Sequence, residues 1–172
     1  MNEDEKESRL TSLAIRGIVF PQFGTSEEYD SYPKEKIQYK IIVLKEVLIS
    51  ISKEKNIVST TIPAREGTIK EYIGADDYNI TVDVGISDTD LEKEKYSTDY
   101  PLDKVEEFIK IINQPLELEV QSDFLELFNI KSAIVTGYNL QQETHSNRQS
   151  LSIKMISETP YLIRLKKEEN KP

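Results

Sequence analysis

A chain of 172 residues with 37% hydrophobic and 31% charged residues, no tryptophan and five phenylalanines must build its core mainly from Ile, Leu and Val, and at this size it buries roughly 70% of its unfolded surface. A net charge of −9 leaves no cationic excess for gripping nucleic-acid phosphates or anionic membranes, although it suits a surface past which DNA slides without sticking. The absence of cysteine excludes a disulfide framework, a thiol nucleophile and a thiolate metal site.

The first residues, MNEDEKESR, are charged and lack an apolar h-region. No secretory signal is expected, and no apolar run reaches the length of a membrane span. Residues 1–12 read as a flexible arm, residues 13–165 as a single α+β domain, and residues 166–172 as a flexible tail. Residues 13–20 form a short apolar strand ended by Pro21, expected at a sheet edge. Residues 22–36 read as a loop.

Residues 37–51 hold one apolar phase through Ile37, Tyr39, Ile41, Val43, Val47, Ile49 and Ile51, which predicts a long strand, bent near Lys45. Residues 53–56 read as a turn. Residues 56–86 organise the chain: a strand, a loop bracketed by Pro63 and Gly67, a second strand, a tight turn at residues 74–77, and a third strand. In that last strand Tyr78, Ile80, Val82, Val84 and Ile86 lie on one face, with period two. An acidic loop follows over residues 87–99.

Pro101 opens a helix whose stripe is Leu102, Val105, Phe108, Ile109 and Ile112. Residues 116–121 form a short strand with Glu117 and Glu119 outward. Ser122 or Asp123 caps a short helix. Residues 132–142 and the segment with Leu151, Ile153 and Met155 form a hairpin around residues 144–147, with Ile134, Thr136, Tyr138 and Leu140 on one face. Residues 161–165 add one short strand. The sum is a mainly antiparallel β barrel or strongly twisted sheet, with one medium and one short helix.

No catalytic constellation stands out, so the expected function is non-enzymatic, with no cofactor. His145 is the single histidine, which excludes a His pair, and it reads as a solvated loop residue. Asp88, Asp90, Glu92 and Asp99 occupy positions 1, 3, 5 and 12 of a calcium-loop register, but Lys93 stands where that loop requires Gly. Asp76 and Asp77, beside Glu71, read as turn chemistry and not as a shared-proton pair. Arg65 has two readings: an ion pair with its own Glu66 or Glu71, or a contact to an acidic neighbouring subunit.

The stretch Ile62-Pro63-Ala64-Arg65-Glu66-Gly67-Thr68-Ile69-Lys70-Glu71-Tyr72-Ile73-Gly74, then Asp77-Tyr78-Asn79-Ile80-Thr81-Val82, resembles a family of small, uncharacterised bacteriophage and prophage proteins with the pattern V-x-G-R-x-G-T-V-K-E-Y-I-x-x-x-D-Y-x-I-T-I. Residues 114–120 and 124–130 resemble the same family's helix–strand–short helix segment. One position departs: Ala64 stands where the family tends to have Gly, and alanine tolerates positive φ poorly. The resemblance implies a structural virion protein of a phage tail: a tail tube, tail completion or baseplate component. It would form rings with itself, contact other tail proteins, and bind neither membrane nor specific nucleic acid. Pro63, Arg65, Gly67 and Tyr72 are then the expected subunit-interface residues. The alternative is a monomeric binding or chaperone-like module recognising one protein partner.

Overall fold

The computed structural model describes residues 12–64, 66–87, 99–141 and 147–158. Seven strands form one sheet: β1 (Leu13–Phe20), β2 (Gln38–Leu44), β3 (Glu46–Thr61), β4 (Thr68–Ser87), β5 (Glu117–Gln121), β6 (Ser132–Leu140) and β7 (Arg148–Ser157). The helices are α1 (Ser26–Ser31), α2 (Leu102–Ile112) and α3 (Asp123–Glu126). The strand order is β2-β1-β5-β6-β7-β4-β3. Every neighbouring pair is antiparallel.

The closed barrel that was one of the two expectations does not form. β2 and β3 stand at opposite ends of the hydrogen-bonded order and share no ladder. They are nevertheless consecutive in the chain, separated by Lys45 alone. The bend expected near Lys45 is therefore where the chain leaves one sheet edge for the other. β2 pairs with β1 and β3 with β4, so the sheet curls until its two edges come together at that one residue, as a strongly twisted sheet can.

The core lies on the concave face of the sheet, under α2. Ile80, Val82, Val84 and Ile86 of β4 are buried as their alternation requires, against Leu151, Ile153 and Met155 of β7 and Leu13 and Ile15 of β1. α2 adds Val105, Phe108, Ile111 and Ile112; Leu102, assigned to its stripe, is exposed. Gly17 lets α2 approach. A Cβ at that position would stand 2.3 Å from Ile111 Cγ2, so only glycine leaves the space. Buried Gln114 ties the end of α2 to the chain after β1: its Oε1 accepts from Phe23 N–H at 3.0 Å. Ser122 caps α3, accepting from Phe124 N–H.

Several expectations are corrected. β1 is not an edge strand, because β5 pairs with its other side. Residues 22–36 are not all loop: Thr25 caps α1 by accepting from Glu28 N–H, and a 3-10 turn spans Lys34–Lys36. Residues 53–56 are not a turn; β3 runs through them to Thr61. Residues 74–77 are not a turn either, since β4 runs through them for 20 residues. The two blocks face each other across the ladder, where the register shifts twice. Their polar and Gly residues mark bulges in a solvated stretch, a role that shares its composition with turns.

In β6 the face changes at a bulge between Val135 and Gly137. Ala133 is buried and Val135 packs on the core, whereas Ile134 lies outward beside Ile156. Beyond the bulge Tyr138 and Leu140 pair with core-facing Ile153 and Leu151. The single face assigned to residues 134, 136, 138 and 140 is thus two faces. Most of the acidic loop (residues 88–98), His145 and the expected strand at residues 161–165 lie outside the described residues, as do Arg65 and nearly all of the N-terminal arm.

Candidate interaction arm and sheet edges

β3 and β4 stay paired far beyond the core. The last core pair is Ile51 with Ile80, yet the ladder continues to Thr61 with Thr68. At about 3.3 Å per residue, residues 53–61 carry this two-stranded arm roughly 30 Å outward. β3 keeps its phase throughout. β4 carries the extra residues, because Lys53 and Lys55 pair with Tyr78 and Ala75, and Asn56 and Ile57 with Gly74 and Tyr72. Extra residues in one strand increase local twist and re-aim the ribbon. Asn56 Nδ2 donates to Asp76 Oδ1 at 2.7 Å across the bulged region. The base is anchored by Tyr78, which lies under the Lys53 ammonium, packs edge-on to Phe128, and donates its N–H to Ser157 Oγ.

The arm has apolar side chains on both faces. Ile57 and Tyr72 are cross-strand partners on one face; Val58 and Ile69 lie on the other. All four are exposed, Tyr72 at 63% and the bulged Ile73 at 66%. No described element covers them. A two-stranded ribbon is marginal alone in water, and a run of exposed Ile, Val and Tyr on such a ribbon marks a contact surface.

The tip lies beyond the last ladder pair, Thr61 with Thr68. Ala64 has φ 61° and Gly67 φ 87°. Gly67 takes this conformation at no steric cost and Ala64 at about 1 kcal/mol, so the alanine adopts the left-handed geometry that glycine would favour. Pro63 and Gly67 thus bracket the tip as expected, and Tyr72 stands on the shaft. Arg65, between them in sequence, lies outside the described residues. The sequence reading passed over Ile57, Val58, Ile69 and Ile73. Their signal was present: apolar residues in both phases of strands too long to be covered by one core.

A second exposed region lies at the free edge of β2. Tyr39, Ile41 and Val43 point outward, with Ile41 60% exposed. Arg16 of β1, opposite Ile41, pairs with Glu119 of β5 at 3.0 Å and stacks over the Tyr39 ring. Tyr29 and Tyr39 share a hydroxyl hydrogen bond at 3.2 Å. That bond, then burial, pushes the Tyr29 phenol up to about 12. Together these residues border a shallow cleft of about 270 Å³ reaching Gln114 and Glu117. Among the described residues no group of three or more His, Asp or Glu side chains is arranged to hold a metal ion, and no helix is long and apolar enough to cross a membrane.

No curated protein matches the chain. Among solved structures, it is similar to a chain of the virion of a native gene transfer agent particle, at 13% identity and a TM-score of 0.34, over 66% of this chain and 79% of that one. It is also similar to a chain of the tail of an empty gene transfer agent particle with C6 symmetry, at 13% identity and a TM-score of 0.33, over 66% and 77%. Likeness this slight carries no function across. The family model described as "Domain of unknown function (DUF6046)" matches residues 42–168, and the chain belongs to that family.

Proposed function

We propose that the protein is a structural virion component of a phage tail, in the tube, the tail completion complex or the baseplate, and that it acts by ring-like contacts with neighbouring subunits and other tail proteins, without catalysis. The arm is the observation that carries this reading. It sets exposed apolar residues roughly 30 Å beyond the core, where they contribute little to the subunit's own fold. Of the stretch that resembles small phage proteins, the described residues 62–64 and 66–74 form the tip and descending strand of this arm. The open edges at β2 and β3 support it further, since neighbours in a ring cover edges that a lone subunit exposes. Pro63, Arg65, Gly67 and Tyr72 contact the neighbour, with residues 1–12 and the C-terminal tail clasping it. The net charge of −9 keeps DNA mobile wherever this surface lines a lumen. The protein is made in the bacterial host cytoplasm and resides in the virion tail.

Light scattering across a concentration series, with negative-stain imaging of large species, tests assembly. Rings or stacked rings are expected. Tyr72→Ser with Ile57→Ser should weaken assembly about 10-fold or more, by removing apolar contact area, while leaving the urea midpoint of the subunit unchanged. Assembly untouched by this pair would remove the arm from the interface. The cleft bordered by Arg16, Tyr39 and Glu119 favours a second reading, a monomeric module gripping one protein partner. A strict monomer at all concentrations, with the partner captured through Tyr39 and Ile41, would support it.

A further inference from the structure

β2 ends the sheet on one side. β1 pairs with one of its edges, and no described strand pairs with the other. Beside that open edge Ile41 and Val43 are 60% and 58% exposed. An apolar edge strand left unpaired is a template for a further strand. The segment is also cationic. Residues 34–45 hold Lys34, Lys36, Lys40 and Lys45 against Glu35 alone, a net charge of +3 in a chain of −9. A positive excess remains after Lys40 pairs with Glu107 of α2.

The arm supplies a strand of matching kind. From Asn79 to Ser87, β4 lies between β3 and β7. Over residues 68–77 it keeps β3 on one side, and its other edge carries no described strand. This stretch exposes Ile69, Tyr72 and Ile73. It holds Lys70 against Glu71, Asp76 and Asp77, a net charge of −2. The other strand of the arm, residues 53–61, holds Lys53 and Lys55 against Glu54, a net charge of +1. Complementary charge selects partners more than it sets affinity, and here it selects the β4 edge as the mate of β2. Residues 68–77 span roughly 33 Å and β2 roughly 23 Å, so the arm strand covers the whole edge. Its own β2 is out of reach for most of that length. β2 joins β3 at Lys45 and extends only about 23 Å from the junction, whereas Ile57, beside Tyr72, lies about 36 Å along β3 from Glu46.

We propose that the β4 edge of the arm, residues 68–77, adds as a strand to the free β2 edge of a second copy of this chain. The proposal rests on the reading of the arm as a subunit contact and names what the arm docks on. Main-chain pairing and burial of Ile41 and Val43 hold the contact. The two surfaces differ, so each copy gives its arm to one neighbour and its β2 edge to another, a head-to-tail contact that closes into a ring or runs on as a filament.

Two defective variants test this by light scattering. Tyr72→Ser with Ile57→Ser damages the arm; Ile41→Ser with Val43→Glu damages the edge. All four residues are exposed, so the urea midpoint should not move; if it drops in the edge variant, Val43→Ser alone replaces that pair. At a concentration where the wild type assembles, each variant alone should stay monomeric. Mixed in equal amounts they should form pairs of twice the subunit mass and nothing larger, because one intact arm then meets one intact edge. An edge variant that assembles like the wild type overturns the proposal and leaves ring assembly standing. So does a mixture that stays monomeric. Equal weakening by Leu127→Glu, at an exposed site on another element, would reduce the edge effect to net charge and overturn it too. A wild type monomeric at every concentration overturns this contact and ring assembly together.

Discussion

At the residue scale, two positions carry sharp consequences. Gly17 sits where α2 crosses β1, and a methyl there would overlap Ile111. Gly17→Ala should cost about 1–3 kcal/mol, the range for overpacking a filled core, read as a lowered urea midpoint with an unchanged slope. A neutral result would mean that α2 shifts outward at no cost. Tyr29 is the second. Its phenol keeps its proton to about 12 because Tyr39 hydrogen-bonds it, with burial adding to the effect. A group whose folded pKa is raised lends stability that is complete below its unfolded pKa of about 10 and is lost as pH rises through the folded value. The β2 edge should therefore hold through pH 10 and loosen towards pH 12. In Tyr39→Phe the Tyr29 ring resonances should titrate closer to pH 10. An unchanged titration would show that the shared hydrogen bond is not the cause.

At the element scale, the arm and the sheet separate cleanly. The arm buries almost nothing in the core, so excising residues 54–77 and joining Lys53 to Tyr78 through Asn-Gly, a tight hairpin turn, should change subunit stability by no more than about 1 kcal/mol while abolishing assembly. A loss of several kcal/mol in urea unfolding would make the arm part of the core. What the sequence disclosed follows the same division. Where β4 crosses the core, one face is buried and one is wet, and Ile80, Val82, Val84 and Ile86 declare the strand without ambiguity. The same holds for α2, opened by Pro101, and for α3, capped by Ser122. In the arm both faces meet water, so nothing enforces a hydrophobic phase. Lys53, Glu54, Lys55 and Asn56 then look like a turn, as do Gly74, Ala75, Asp76 and Asp77. Only the cross-strand register distinguishes bulges from turns, and register is non-local. The interior place of β1 was hidden for a related reason: its partner β5 begins about a hundred residues later in the chain. Within the proposed interface, the Pro63 and Gly67 bracket was legible as local turn chemistry. Ile57 and Ile69 left a fainter signal, apolar residues in both phases of overlong strands, because their importance lies in what fails to cover them.

At the scale of the whole molecule, two forces would compete in the proposed assembly. Each subunit carries a net charge of −9, so bringing copies together costs electrostatic work. The arm offers Ile57, Val58, Ile69, Tyr72 and Ile73 for burial, a short-range gain that salt does not screen. An interface built on Arg65 meeting carboxylates would depend on salt in the opposite sense, since ion pairs within reach of solvent weaken as ions screen them. The two designs are therefore separable by ionic strength alone. With the apolar arm dominant, the weight-average mass from light scattering at fixed protein concentration should rise between about 0.05 M and about 0.5 M sodium chloride, as the screening length contracts from roughly 14 Å to roughly 4 Å and repulsion fades. Tyr72→Ser with Ile57→Ser should flatten that rise. A mass that falls with salt, and falls no further in Arg65→Ala, would assign the contact to Arg65 and leave the apolar shaft without a part in it.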